Sequence, residues 1–333
     1  MRLSSKQKTI LNILANGDFH SGTELALALD SSRAAVWKHI ESLSELGLGH
    51  VAVRGKGYKL TRPLELLSAE KITAQLNAPA NTLLQTLELH DQLDSSNTYL
   101  LEQAKQGATS GTVCFTEHQS AGKGRRGRHW ISPFGSNIYL SMLWQFSQGS
   151  SALAGLSLAM GVAVLNALHE HGEFLQTPLA IGLKWPNDII GNGKKLGGIL
   201  IEISGENDGL CTAVVGLGLN LAMPKIAGEH INQAWTDLSQ LTGKKSLARN
   251  QLAATLLNHC LPVLASFEQV GLSAYLEQWR SYDALANQSA TVFIGEQRIE
   301  GIVRGIDDNG LLRLQRSDGT IQSFASGELS FSA

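Results

Sequence analysis

The chain changes its hydrophobic pattern twice, and each change limits what can fold on either side of it. Residues 1–62 carry short apolar stripes of helical period. Ile10, Leu11, Ile13 and Leu14 form one that stops at Gly17. Ser21-Gly22-Thr23-Glu24 is a capping-box pattern that opens a second helix with Leu25, Leu27 and Leu29. Asp30, Ser31 or Ser32 can cap a third, running from Arg33 to about Leu46 and ended by Gly47. Val51, Val53, Tyr58 and Leu60 then flank Arg54-Gly55-Lys56-Gly57, two short strands around a glycine turn. Pro63 marks the first boundary. Beyond it strands alternate with helices: strands at 112–116, 138–145, 199–203 and 212–217, a long helix at 153–169, and mainly helix over 247–279. From about residue 281 short strands return, separated by Asp307-Asp308-Asn309-Gly310 and Ser317-Asp318-Gly319.

This order predicts an α/β (α+β) chain of three domains. Three helices and a glycine-tipped hairpin resemble a winged helix-turn-helix over 1–64. Strands mixed with helices predict one sheet backed by helices over 65–280. Close strands with glycine turns predict an SH3-like β-barrel over 281–333.

A hydrophobic content of 43% with 17% charged residues is that of a soluble globular protein. The longest apolar run, 153–168, is interrupted by Ser157, Gly161 and Asn166 and is short for a bilayer span, so it predicts a buried helix. Met1 to Ile10 is polar and basic, without the apolar stretch of a signal peptide. A cytoplasmic protein without membrane contact is expected. Cys114, Cys211 and Cys260 show no metal-ligand spacing and read as buried hydrophobes. The formal net charge is only −2, but residues 1–62 carry nine Lys/Arg and five Asp/Glu. A small basic module on an acidic body points to nucleic acid. The third helix would present Ser31, Ser32, Arg33, Trp37 and Lys38, and the wing would bring Arg54 and Lys56 to phosphate.

The densest chemical signal is Gly122-Lys123-Gly124-Arg125-Arg126-Gly127-Arg128-His129-Trp130. Glycines let the backbone reach positive φ and approach a ligand closely. Lys and Arg suit phosphate and carboxylate oxygens. The segment reads as a mobile loop closing over a small anion, with Trp130 as an apolar wall. Its spacing is neither that of a P-loop nor G-x-G-x-x-G. Four further segments stand beside it. Asp94-Ser95-Ser96-Asn97-Thr98 is a helix cap with spare hydroxyl and amide groups. Glu117-His118-Gln119 leads from a strand into the loop. Lys184-Trp185-Pro186-Asn187-Asp188 places a cation, an amide and a carboxylate around a proline turn. Lys195-Leu196-Gly197-Gly198 and Gly216-Leu217-Gly218-Leu219-Asn220 put small residues on strands where a ligand could lie.

In these segments, taken in order and spacing, the chain resembles the biotin–protein ligases. With the N-terminal module, its whole length resembles their bifunctional bacterial type, which is both ligase and biotin operon repressor. The resemblance implies a central biotin/lipoate ligase-like catalytic domain and a two-step reaction. Biotin carboxylate attacks the α-phosphate of ATP, giving biotinyl-5′-AMP and pyrophosphate. A lysine of the biotin carboxyl carrier protein of acetyl-CoA carboxylase then attacks the anhydride, and AMP leaves. It also implies that biotinyl-5′-AMP is the corepressor, favouring a homodimer that binds operator DNA. Mg²⁺ would accompany ATP, with Asp188 as its candidate protein contact.

By motif, Lys195, Lys184, Arg125 and Arg128 would neutralise charge during adenylation. Ser95, Ser96, Asn97, Gln119, Gly122, Lys123, Arg125 and Lys195 would surround biotin. Its ureido end would meet Ser95, Ser96 and Gln119, Trp130 would border its apolar tail, and Gly198 and Gly216 would leave room beside it. Arg128, Asn187, Asp188 and Asn220 would face the nucleotide, and Trp235 would close over adenine. Lys123 stands where the commoner pattern has Arg, and Ser96 where it has Thr. Charge and hydroxyl are kept, so a changed affinity is expected and not a changed reaction. Two rival readings are a non-catalytic transcription factor sensing a small anion, and a lipoate–protein ligase. The Lys184–Asp188 turn together with Lys195 argues against the first, and the 122–128 loop against the second.

Overall fold

The computed structural model describes residues 3–205, 209–245 and 247–331. Helices α1 (Ser5–Leu14), α2 (Gly22–Ala28) and α3 (Arg33–Ser42) precede a hairpin of β1 (His50–Val53) and β2 (Gly57–Leu60). Each helix begins where a serine hydroxyl accepts a backbone N–H three residues on: Ser4, Ser21 and Ser32. The reciprocal capping box falls at Ser4 and Gln7, not at Ser21. Glu24 turns its carboxylate to His20 Nδ1 at 2.7 Å instead. α3 tightens into a 3-10 turn, Leu43–Leu46, and stops at Gly47, whose φ of 73° suits glycine. Ile10, Leu11, Leu14, Leu25, Val36 and Ile40 form the core here, and Phe134 from the middle of the chain completes it.

The central elements are α4 (Ala69–Thr73), α5 (Ala78–Leu83), β3 (Thr86–His90), α6 (Ser96–Lys105), β4 (Thr112–Thr116), β5 (Ile138–Phe146), α7 (Leu156–Phe174), β6 (Ile181–Lys184), β7 (Asp188–Gly191), β8 (Lys194–Gly205), β9 (Cys211–Leu219), α8 (Lys225–Gly228), α9 (Leu238–Thr242), α10 (Arg249–Val270) and α11 (Leu276–Ser281). The strands form one mixed sheet in the order β3-β4-β5-β9-β8-β7-β6, parallel at β3–β4 and antiparallel elsewhere. α7 and α10 pack together against the sheet, and α7 is a buried core helix. α6 lies on the other face, where Leu100 meets Cys114, Leu143 and Val214. Strand alternation sorts β9 accordingly. Ala213, Val215 and Leu217 enter the large core, whereas Val214, Gly216 and Gly218 point to the α6 side. The two glycines therefore thin the sheet beside the N-terminus of α6.

The last strands, β10 (Ser289–Ile294), β11 (Gln297–Ile306), β12 (Leu312–Gln315), β13 (Ile321–Phe324) and β14 (Glu328–Phe331), form an antiparallel sheet ordered β13-β12-β11-β10-β14. β11 is bulged between Val303 and Ile306, and among the described residues no β13–β14 ladder closes a barrel. Val292, Val303, Leu312 and Leu314 join the central core, and Trp185 Nε1 donates to the Gly310 carbonyl at 3.1 Å.

A buried polar cluster ties the first module to the centre. Arg249 pairs with Glu117 at 2.6 Å and donates to the carbonyls of Asn137 and Glu65. Glu117 also accepts the Leu67 amide at 2.7 Å. Arg62 donates to the Ala222 carbonyl at 3.0 Å and hydrogen-bonds Ser136.

Candidate active site

One cavity lies where the N-terminus of α6, the inner strands β9 and β8, the β6–β7 turn and the basic loop converge. Its two ends differ in chemistry.

The first end is neutral and hydrogen-bonded. Ser95 caps α6, accepting from Thr98 N. The Ser96 amide donates to Gln119 Oε1 at 2.9 Å, and the Ser96 hydroxyl lies 3.1 Å from the same oxygen. Gln119 Nε2 donates to Ser132 Oγ at 3.0 Å. Asn97 reaches across the sheet to the Leu200 carbonyl and to Glu202.

The second end is charged. Asp188 holds Lys195 at 2.7 Å and Lys184 at 3.1 Å, one on each oxygen. Burial pushes the Asp188 carboxyl up, but the two lysines outweigh it and hold the group below the usual carboxylate range. A depressed carboxylate contributes stability above its unfolded value of 3.8 and loses it as pH falls further, through the folded value. At neutral pH the Asp188 carboxylate is therefore ionised and anchors both lysines at one spot. The β6–β7 turn holds a cis peptide at Trp185–Pro186, and Asn187 in the same turn borders the cavity. Asn187 donates to the Ile199 carbonyl at 2.8 Å and accepts from Arg125 Nη1 at 2.9 Å. Burial lowers the Arg125 pKa, and its neighbour Arg126 adds to that. Between the two ends stands Trp130. Its ring fills the space above Gly218, where a Cβ would come within 2.4 Å, and Lys195 Nζ sits 5.6 Å from the ring centroid.

The basic loop is folded as a tight excursion. Trp130 N donates to Gly122 O at 2.8 Å, and Lys123 pairs with His129. Only Gly127 of its three glycines uses positive φ, at 73°. Arg126 takes the other left-handed position, at 57°. Gly122 is needed for closeness: its Cβ would meet the Trp130 carbonyl at 2.5 Å. Three side chains fasten the loop, to different elements. Lys123 reaches Glu202 at 3.4 Å, Arg125 reaches Asn187, and Arg128 pairs with Glu328 on β14. Arg128 in turn holds the Glu328 carboxyl below its usual range.

Of the residues named from sequence, Ser95, Ser96, Asn97, Gln119, Lys123, Arg125, Arg128, Trp130, Lys184, Asn187, Asp188, Lys195, Gly198 and Gly216 all border this cavity. Four of the named residues have neighbours that the sequence alone does not give. Gly122 lies behind the wall, closed by the Trp130 backbone. Gly216 borders the cavity and also lies against a protein side chain, since its Cβ would come within 2.3 Å of Asn97 Oδ1. Asn220 is buried, binding the Thr236 carbonyl at 3.1 Å, and holds the 230s segment to β9. Trp235 lies over Gly228, bonding its carbonyl at 3.2 Å, and Gln233 of the same segment borders the cavity. Sequence reading missed Gln233 and Glu328 as wall residues, and gave Gly218, Arg126, His129 and Trp185 only as members of their segments. Gly218 was findable, because it shares a strand face with Gly216. Glu328 was not, standing 200 residues from Arg128.

On the first module, Arg33, Trp37, Lys38, Arg54 and Lys56 are exposed. Ser32 spends its hydroxyl on the α3 cap, and Ser31 is half-buried. Phe19 lies beneath Lys56 and Lys59, 5.9 and 4.8 Å from their ammonium groups.

Residues 89–220 match the Biotin/lipoate A/B protein ligase family, residues 6–59 an HTH domain, and residues 290–332 the Biotin protein ligase C terminal domain. The bifunctional ligase/repressor BirA of Escherichia coli K12 is 40% identical over 96% of this chain and 95% of its own. The chain belongs to the bifunctional ligase/repressors among the biotin–protein ligases. The Bacillus subtilis member of this family is 33% identical over 95% of this chain and 96% of its own. The biotin protein ligase of Aquifex aeolicus, in complex with biotin and ATP, superimposes with a TM-score of 0.61 at 27% identity. That match covers 74% of this chain and 98% of the Aquifex chain.

Proposed function

We propose that this chain is an ATP-dependent ligase that forms biotinyl-5′-AMP and transfers biotin to a lysine of the biotin carboxyl carrier protein, and that it represses transcription through its N-terminal module. The observation that carries the reading is the division of one cavity: neutral hydrogen-bonding groups at Ser95, Ser96 and Gln119, and the cations Lys195, Lys184 and Arg125 at the other end, with Trp130 between. A ligand with a polar neutral head, an apolar tail and a carboxylate suits that division. The cations would neutralise charge as the carboxylate meets the α-phosphate, which is what phosphoryl-group chemistry chiefly demands. Holding both reactants against one wall supplies the rest. A water-excluding loop would then protect the anhydride until the acceptor lysine arrives.

Asp188 gives one carboxylate oxygen to each lysine, so it would anchor two cations on the nucleotide side. Mg²⁺ would arrive with ATP and balance its phosphate charge. The exposed Arg33, Lys38, Arg54 and Lys56 would contact DNA phosphate, with Trp37 beside them. Homodimerisation favoured by biotinyl-5′-AMP belongs to the same reading: three loop contacts that ligand would reinforce give it a physical route. A cytoplasmic location follows from binding DNA and an intracellular acceptor.

The deciding experiment is pyrophosphate release from purified protein with Mg·ATP, with biotin, with lipoate, and with neither. Release driven by biotin alone is expected. Release with lipoate would move the assignment to the lipoate ligases, and binding of biotin without release would mark a sensor. Dimer dissociation constants with and without adenylate test the repressor half; equal values would remove ligand-driven dimerisation.

A further inference from the structure

Glu202 lies on β8 outside the cavity wall, yet it touches both structures that close the neutral end. Its Oε2 accepts from Asn97 Nδ2 at 2.9 Å, and its Oε1 lies 3.4 Å from Lys123 Nζ in the basic loop. We infer that Glu202 is a positioning residue that sets the hydrogen-bond direction of the neutral end, so that Ser96 and Gln119 face the ligand as acceptors.

The argument counts protons. Asn97 Nδ2 has two N–H bonds and two acceptors, the Leu200 carbonyl at 3.2 Å and the Glu202 carboxylate. Neither acceptor has a proton to give, so the amide cannot be flipped and Oδ1 must face Ser141. Ser141 Oγ lies 2.6 Å from Asn97 Oδ1 and 2.7 Å from Ser96 Oγ. An amide oxygen only accepts, so Ser141 commits its single proton to Asn97. It then has only lone pairs to offer Ser96. Ser96 in turn directs its one proton either to Ser141 or to Gln119 Oε1. In both arrangements no group donates to Ser96 Oγ, and a lone pair stays open. Gln119 is oriented the same way, because its Nε2 donates to Ser132 and its oxygen accepts the Ser96 amide. Packing makes the chain of contacts dense: Ser96, Asn97 and Ser141 are buried, and Asn97 occupies the space left by Gly216. A cavity end that presents acceptors selects a ligand head rich in N–H groups, as a cyclic urea is. This rests on the biotin reading above and adds the residue that enforces it.

Glu202→Gln keeps the shape and supplies an N–H in place of a carboxylate oxygen. The Leu200 carbonyl then stands alone against a turn of Asn97, at the cost of one oxygen–oxygen contact, while the new N–H can donate to Oδ1; a turned Asn97 donates to Ser141 and so pushes the Ser141 proton onto Ser96, filling the open lone pair. A roughly tenfold rise in biotin KM is expected, the scale of one lost hydrogen bond, with ATP KM and adenylation kcat within about twofold of wild type. Ser141→Ala breaks the relay without reversing it, so its biotin KM should stay within about twofold. In that background Glu202→Gln should add little. A biotin analogue with a ring oxygen in place of one ureido N–H tests the same point on unmodified protein, and at least about tenfold weaker binding is expected where oxygen would face oxygen. An unshifted KM in Glu202→Gln, or multiplying effects in the double variant, or equal affinity for the analogue, overturns the inference. Wild-type protein lacking biotin-dependent pyrophosphate release would overturn the biotin reading itself, and this inference with it.

Discussion

Lys195→Ala is expected to slow biotin-dependent pyrophosphate release by about two to three orders of magnitude, while biotin KM changes far less. Lys195 combines three features. It is held at 2.7 Å by Asp188, it lies beside the Trp130 ring, and it is the second residue of a strand that lines the cavity. Its charge is therefore already in place before reaction, and preorganised charge helps most where negative charge concentrates in the transition state. Single-turnover release with excess Mg·ATP reads the chemical step directly. Asp188→Asn provides the contrast, because it frees both lysines without removing either. It should slow release as well, and less than Lys195→Ala. A Lys195→Ala protein with a normal rate and poor biotin affinity would assign Lys195 to binding alone.

Arg249→Met is expected to destabilise the folded protein by about 3–5 kcal/mol, read as a fall in Tm on the order of 10 °C. The guanidinium and the Glu117 carboxylate are 6% and 5% exposed, and 2.6 Å apart. Removing the cation leaves a buried carboxylate whose one remaining hydrogen bond comes from Leu67. Removing both charges, as Arg249→Met with Glu117→Gln, should recover part of the loss, because the penalty comes from the unpaired charge. A single variant as stable as wild type would show that water or another group replaces the arginine. The consequence reaches beyond stability. Glu117 stands two residues before Gln119, and Leu67 lies on the segment leading out of the first module, so the pair joins that module to the neutral end of the cavity.

Much of the architecture was legible because local rules acted alone. The stop of α3 at Gly47 needed only a residue tolerant of left-handed backbone, and the serine before each helix needed only a hydroxyl. Strand β4 was read to the residue, since its apolar run is buried on both faces. The capping box was read at the wrong serine. Glu24 has the right spacing, but it has a better partner in His20, and spacing cannot see a competitor.

The candidate site divides in the same way. The sequence by itself determined the chemistry: a glycine-spaced run of cations, a serine-rich helix cap, a lysine ahead of two small residues, and a proline turn carrying an amide and a carboxylate. These are properties of residue type and close spacing, so one strand or loop suffices to express them. Only the tertiary structure decided what each group faces. Strand pairing set Asn97 against Gly216, and Gly218 received Trp130 from a different loop. Glu202 and Glu328 took their roles from partners 105 and 200 residues away in the chain. A side chain's function at such a place is set by which other element packs within about 3 Å of it. That distance is created by folding and is written in no local stretch of sequence.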